Sequence, residues 1–293
     1  MPKIDVTALT EAQATLLMPL WARAQESHHP AALLHDEKAV STVADLDFPF
    51  HRFEAKSVRA VDDCLRASVF DRLVAEYPVN LPDDRIVELG VGLDTRSDRI
   101  CNGQAHRIGL DLPEVIRLPN QFIPDGDRRR TIGKSLLDPD WFDEVRQHCG
   151  DYVLFTLEGV LRFFAETEIR TLFTKMADRF TKMADRFTKM ADRFTKMADR
   201  FPRCDVVFTA QSPWFLMVSN LRHRLPDSKL RFSLANVRRV ERCDSRFHVK
   251  QYVGFGDSPS YDDGMPRLSL FRRWGRRLFS PSRHLFKVVH VSW

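Results

Sequence analysis

The sequence predicts an α/β fold built on a mostly parallel, doubly wound sheet. Short apolar runs alternate with helix-length segments between residues 85 and 210, a glycine-bearing turn follows the first run, and an acidic residue closes the second. Parallel neighbours need a crossover connection, usually a helix, so this alternation belongs to βαβ units. With 293 residues, 43% of them hydrophobic, the chain can bury a sizeable core. That composition excludes disorder, a disulfide miniprotein and a fibrous repeat.

Taken in order, residues 8–24 and 57–77 space apolar side chains at helical intervals, so 1–80 reads as an amino-terminal helical segment packed on the core. Strands are expected at 85–89, 106–111, 152–157 and 205–210, with 285–291 as an antiparallel last strand. Residues 81–293 would complete one domain with the helical segment. Prolines 213, 226, 259, 266 and 281 break the stretch after 211 into short pieces.

One segment departs from an ordinary globular texture. Thr-Lys-Met-Ala-Asp-Arg-Phe occurs four times without a difference, starting at Thr174, Thr181, Thr188 and Thr195, so a heptad repeat occupies 174–201. Phe173, Met176, Phe180, Met183, Phe187, Met190, Phe194, Met197 and Phe201 form an apolar stripe at spacings of three and four. In the first three copies the Asp precedes a Lys by four residues, as in Asp178 to Lys182, the favourable order for a helical ion pair. One helix is therefore expected over 166–200, ended by Pro202. Three added copies lengthen it by roughly 30 Å, whereas the three residues that follow span only ~10 Å. A hairpin, an unstructured excess and an exchange between subunits would each resolve this mismatch. The heptad holds no turn-forming residue, which favours a homodimer through the long helix, with the chain after about 203 swapped into the partner.

The net charge of +5 is modest, and each heptad contributes +1, so much of the excess belongs to the added copies. The basic stretch 271–279 has apolar ends and a central glycine, the pattern of an amphipathic element, and no nucleic-acid partner is expected. No apolar run approaches the ~20 residues of a membrane span, and the first twenty residues lack a secretory pattern. A cytoplasmic location is the expectation. Five cysteines without a C-x-x-C and ten histidines without metal-like spacing predict neither a disulfide framework nor a bound metal.

The chemistry gathers around Glu88-Leu-Gly-Val-Gly-Leu-Asp-Thr-Arg96. Gly90 and Gly92 let the backbone approach a ligand at a strand-to-helix turn. Thr95 stands where a dinucleotide fingerprint has its third glycine, which weakens a nicotinamide reading. Asp111 ends the next strand, where a carboxylate can accept hydrogen bonds from both ribose hydroxyls. Glycines and acid in this order point to a nucleoside site.

These strings, followed by Asp111-Leu-Pro-Glu-Val-Ile116, Asp138-Pro-Asp-Trp141 and Glu158-Gly-Val-Leu-Arg-Phe163, resemble the successive motifs of the S-adenosylmethionine-dependent O-methyltransferases that include leucine carboxyl methyltransferase and the tetracenomycin-type polyketide enzymes. Upstream, Ala22-Arg-Ala-Gln-Glu-Ser27, Leu34-His-Asp-Glu-Lys-Ala39 and Arg66-Ala-Ser-Val-Phe-Asp-Arg-Leu73 are similar to that family's amino-terminal helices. The resemblance implies a Rossmann-like class I fold, S-adenosyl-L-methionine as cofactor and a small-molecule methyl acceptor. It assigns Arg66 to the methionine carboxylate, Glu88, Gly90 and Gly92 to the cofactor loop and Asp111 to the ribose. Ser135 and Leu136 would flank adenine, and Glu158 would face the cationic end. Phe163 stands where the family usually has tyrosine. No general base is evident, so no catalytic residue is assigned, and a carboxylate or acidic hydroxyl, which needs no strong base, is the favoured acceptor. Trp214, Phe215, Phe232, Tyr252 and Phe255 could line an apolar acceptor pocket or serve as core. The alternative is a catalytically impaired relative acting as a helix-mediated assembly module.

Overall fold

The computed structural model describes residues 3–6, 11–76, 85–100, 106–117, 120, 124–149, 152–191, 203–222, 230–257 and 286–293. In chain order the elements are β1 (Ile4–Asp5), α1 (Glu11–Ser27), α2 (Glu37–Asp45), β2 (Leu46–Asp47), α3 (Ser57–Ala75), β3 (Arg85–Leu89), α4 (Arg96–Ile100) and β4 (His106–Asp111). These are followed by α5 (Pro113–Ile116), β5 (Arg129–Gly133), α6 (Asp140–Arg146), β6 (Tyr152–Leu157), α7 (Glu166–Ala191), β7 (Arg203–Gln211), α8 (Pro213–Arg222), β8 (His248–Gly254) and β9 (Phe286–Ser292).

Seven strands form one sheet in the order β5-β4-β3-β6-β7-β9-β8. The five from β5 to β7 pair in parallel. At the other side the amide of Trp293, just beyond β9, donates to the carbonyl of Cys204 at the start of β7, so β9 runs antiparallel to β7. This is the expected Rossmann-like architecture with its reversed last strand. Successive strands run outward from β3 through β4 to β5, and in the other direction from β6 to β7. The order therefore reverses between β3 and β6.

The chain divides into two compact units. One comprises 1–76, 92–103 and 253–287; the other comprises 77–91, 104–252 and 288–293. The first is thus more than the amino-terminal helical segment expected over 1–80, because it takes in the residues that follow the glycine turn and a late segment. Within it α1 packs on α2 and α3. Asp36 caps α2 by accepting from the Ala39 amide at 2.8 Å. Cys64, Leu65, Val69, Phe70 and Leu73 bury one side of α3 at helical spacing.

In the second unit, alternate residues of each strand face one apolar layer. Val87 and Leu89, Ile108 and Leu110, Val153, Phe155 and Leu157, and Val206 and Phe208 meet Trp141 and Phe142 of α6 and one stripe of α7. That stripe is Ile169, Leu172, Phe173, Met176, Ala177 and Phe180. Burying each larger side chain stabilises the fold by ~1.5–3 kcal/mol. The first heptad copy, 174–180, therefore belongs to the core: Phe180 meets Phe155 edge-on at 4.9 Å. Its polar residues also pair outside α7, Asp178 with Arg246 at 2.8 Å and Arg179 with Asp143 at 2.7 Å. α7 is helical to Ala191, and the rest of the helix expected to 200 lies outside the described residues. β7 pairs in parallel with β6.

The opposite sheet face interleaves buried polar residues with apolar ones such as Ile86, Leu154, Val207 and Val288. Glu88, Arg107, Thr156, Asp205, Thr209 and His290 are all buried there. Each charge on it has a neighbour: Arg107 Nη1 stands 3.1 Å from Glu88 Oε1, and His290 Nε2 lies 2.6 Å from Asp205 Oδ1.

Candidate functional site

Ligands of open parallel sheets bind beyond the carboxyl ends of the strands, where strand order reverses. Here that place is the rim of β3, β4 and β6. The register sets Leu89 beside Leu110 and Glu88 beside Thr156, so Gly90 and Asp111, one residue further on, and Glu158, two beyond Thr156, stand on three adjacent strand ends. Gly90 is tied to β4 by its amide, which donates to the Leu110 carbonyl at 2.7 Å. Asp111 is in turn tied to β5, its carbonyl accepting from Lys134 at 2.9 Å.

Two of these loops are built without side chains at the turn. Gly90 has φ +74° and Gly159 φ +73°, both in the left-handed region that a Cβ disfavours. A Cβ on Gly90 would also stand 2.6 Å from Cγ2 of Val160, so the β3 and β6 loops lie in direct contact. The amide of Gly159 donates to Thr209 Oγ1 at 2.7 Å, which fixes the β6 loop against β7. The result is a rim whose floor is backbone and whose flanks carry two carboxylates.

Each expected residue has a definite place. Asp111 is half-buried, and its Oδ1 accepts from the Leu112 amide at 2.8 Å. Glu158 is half-buried at the β6 end. Ser135 and Leu136 follow β5, where the Leu136 side chain is buried and its carbonyl accepts from Trp141 Nε1 at 3.1 Å. Glu88 lies two residues inside the strand end, only 7% exposed and beside Arg107, so its carboxylate is met within the sheet rather than on the rim. Gly92 and Arg66 belong to the other unit. Gly92 has φ +52°, and a Cβ there would meet Leu16 at an ordinary 3.5 Å. Arg66, on α3, is buried and donates to Asp63 at 2.9 Å. Phe163 is 45% exposed, with the Arg162 guanidinium 5.1 Å over its ring. Of the candidate acceptor aromatics, Phe232 and Phe255 are core residues, whereas Trp214 and Tyr252 are more than half exposed. Trp214, Met217 and Leu221 on α8 are exposed at spacings of three and four, which puts them on one face. The basic stretch 271–279 lies outside the described residues.

Sequence reasoning missed what secures the segment after Gly92. Asp94, Thr95, Arg96 and Arg99 join Arg23, Asp36 and Asp71 in a buried cluster. Arg23 bridges Asp36 at 2.8 Å and the Leu93 carbonyl at 2.8 Å. Arg99 reaches Asp36 at 2.7 Å, Asp71 at 2.8 Å and Asp94 at 3.3 Å. Arg96 binds Asp71 and Asp94, both at 2.6 Å, and Thr95 Oγ1 donates to Asp36. Burial pushes the Asp36 and Asp94 carboxyls up, but the guanidinium groups around them outweigh it and hold both below the usual range. The same carboxylates raise Arg99 well above its ordinary value against its own burial. The signal was present in the sequence: each upstream string noted above carries one member, Arg23, Asp36 or Asp71.

Among the described residues no group of three or more His, Cys, Asp or Glu side chains is placed to hold a metal. No described helix is long and apolar enough to cross a membrane.

The chain matches no protein-family model. It is similar to the tetracenomycin polyketide synthesis O-methyltransferase TcmP of Streptomyces glaucescens, 26% identical over 267 residues that cover 89% of this chain and 90% of that one. It is also 25% identical over 184 residues to the S-adenosyl-L-methionine-dependent methyltransferase dpfgK of Gibberella zeae, covering 58% of this chain and 62% of the other. Among solved structures, geranyl diphosphate C-methyltransferase from Streptomyces coelicolor A3(2) aligns over 98% of both chains at 14% identity and a TM-score of 0.46.

Proposed function

We propose that this chain is an S-adenosyl-L-methionine-dependent O-methyltransferase whose acceptor is a carboxylate or acidic hydroxyl on a small, apolar molecule. The observation that carries the reading is the rim itself, where Gly90, Asp111 and Glu158 stand on adjacent strand ends at the reversal of strand order. Similarity to TcmP across about nine-tenths of both chains supports it.

The residues present suit the cofactor. Gly90 leaves bare backbone at the turn, its Cβ side being filled by Val160. Asp111 stands at the end of β4, and a carboxylate there can accept from both hydroxyls of a ribose. Ser135 and Leu136 offer one polar and one apolar contact for a base. Glu158 places negative charge where a cationic group is favoured. When bound, the cofactor supplies a methyl group on a sulfonium, which an oxygen lone pair takes in line as the S–CH₃ bond breaks and a neutral thioether leaves. The chain's share is to align the two partners and exclude water. An acceptor already ionised needs no proton removed, in keeping with the absence of an assigned base. The exposed Trp214, Met217 and Leu221 face on α8 suits an apolar acceptor.

Calorimetric titration with S-adenosyl-L-methionine tests the reading. Binding is expected, weakened by about tenfold in Asp111→Asn, which loses one charged acceptor; no heat at millimolar cofactor would refute it. For the repeat we propose a homodimer through the long helix. Light scattering of the whole chain should give twice its 34.0 kDa mass, and in-phase deletion of 181–201 should give a monomer; a monomeric whole chain overturns this part alone.

A further inference from the structure

Thr209 interrupts the apolar run 206–210 of β7 with a hydroxyl. Its neighbours Phe208 and Ala210 belong to the layer packed against α7, so Thr209 turns to the other side of the sheet, where it is only 7% exposed. Valine has nearly the same shape and no polar atom to satisfy, whereas a buried hydroxyl needs a partner. The partner here belongs to the rim.

Leu157, the last residue of β6, lies beside Phe208, so Glu158 and Thr209 are the next residues along the two strands. One residue further the chain turns at Gly159 with φ +73°, and the Gly159 amide donates to Thr209 Oγ1 at 2.7 Å. The hydroxyl takes the place of a ladder carbonyl just where β6 stops pairing.

The loop that begins there is held on both sides. Val160 packs on the Gly90 backbone, since a Cβ on that glycine would stand 2.6 Å from its Cγ2. The Arg162 carbonyl accepts from the amides of Arg231 at 2.7 Å and Phe232 at 3.3 Å, and the carbonyl of Gln211, at the end of β7, accepts from Leu234 at 2.8 Å. The segment 231–234 therefore secures the far side of the loop, and the Thr209 hydroxyl secures the side next to Glu158. A left-handed turn that glycine adopts freely has little preference of its own. The direction in which the chain leaves Glu158 is fixed by that side-chain hydrogen bond.

We propose, resting on the methyltransferase reading of the rim, that Thr209 is a positioning residue for the cofactor: by holding the Gly159 amide, its hydroxyl sets the place of the Glu158 carboxylate that faces the cationic end of S-adenosyl-L-methionine. Thr209 acts through Glu158.

The test is a double-mutant cycle read by calorimetry of the whole chain with S-adenosyl-L-methionine. Thr209→Val keeps the volume, loses the hydroxyl and should weaken binding by about five- to tenfold, and Thr209→Ser should bind within about twofold of the wild type. Glu158→Gln should weaken binding by about tenfold, and Thr209→Val added to it should cost less than about twofold more. In the free protein, hydrogen exchange at the Gly159 amide should be about fivefold faster or more in Thr209→Val than in Thr209→Ser. Thr209→Cys, whose thiol is a weak acceptor, replaces the valine variant if that one melts early. No binding by the wild type would overturn the methyltransferase reading and the role of Thr209 with it. Wild-type binding together with unchanged affinity in Thr209→Val, no rescue by serine, full additivity with Glu158→Gln, or unchanged exchange at Gly159 would overturn the role of Thr209 alone.

Discussion

Replacing Gly90 with alanine places a Cβ where the structure has room for none. Two costs add at this position. The left-handed φ of +74° penalises any L side chain, by ~1–2 kcal/mol. The new methyl would also lie 2.6 Å from Cγ2 and 2.8 Å from Cβ of Val160, and overpacking of this kind costs ~1–3 kcal/mol. Alanine recovers ~0.4–1 kcal/mol by restricting the unfolded chain, which leaves a net loss of about 1–4.5 kcal/mol. Gly92 isolates the first cost, because its φ is also positive, at +52°, while its nearest contact would be Leu16 at 3.5 Å. Gly92→Ala should therefore lose only about 1 kcal/mol. Urea unfolding followed by circular dichroism measures both, and a Val160→Ala background should reduce the penalty of Gly90→Ala without touching that of Gly92→Ala. The reasoning fails if Gly90→Ala is no more destabilising than Gly92→Ala, or if removing the valine methyls leaves the difference intact.

Three further outcomes follow from buried charge and burial. Arg99→Ala strips a shared partner from Asp36, Asp71 and Asp94 and should destabilise by ~3–5 kcal/mol, whereas Arg130→Ala, half exposed beside Glu144, should cost under ~1 kcal/mol in the same unfolding assay. Asp36 and Asp94 titrate below their ordinary 3.8 in the folded chain. Their stabilisation is thus complete above that value and is lost as pH falls from it toward the folded values, so Asp94→Asn should flatten the decline of stability below pH ~4; a parallel decline in the two proteins would exclude this source. Burial pushes the Cys149 thiol up to about 12, against a smaller opposing pull from Arg85, and raises Cys204 further. Neither should react with iodoacetamide at pH ~8 until the protein is unfolded, and mass spectrometry of the native protein showing rapid alkylation at either site would contradict the burial.

The central strands were legible because both faces of each are covered, which leaves apolar runs in the sequence. β3, β4 and β6 occupy the residues expected for them, and β7 and β9 differ by one or two at their ends. Within the seven-stranded sheet the two strands that escaped notice, β5 and β8, are its edges. Arg130 in β5 and His248, Lys250 and Tyr252 in β8 face solvent, so neither strand shows a run of apolar residues. The rim was readable for a similar reason, since Gly90 and Asp111 sit directly after such runs. The second left-handed turn at Gly159 was not, because a positive φ is a property of the folded backbone. The ion cluster ties Arg99 to Asp36, 63 positions away, and Arg23 to Thr95, 72 positions away, and residues that distant show no periodicity to follow.

Among the described residues the sheet is in contact with only one copy of the heptad. Met176, Ala177 and Phe180 fill its share of the core. Seven residues turn a helix to within about 20° of two full turns, so each added unit keeps nearly the same phase as the one before it. A gain or loss of whole copies beyond Phe180 therefore leaves every buried contact of the first copy as it was. Copy number is thus a change of length at constant helical phase, and the contacts that Met176, Ala177 and Phe180 make do not depend on it.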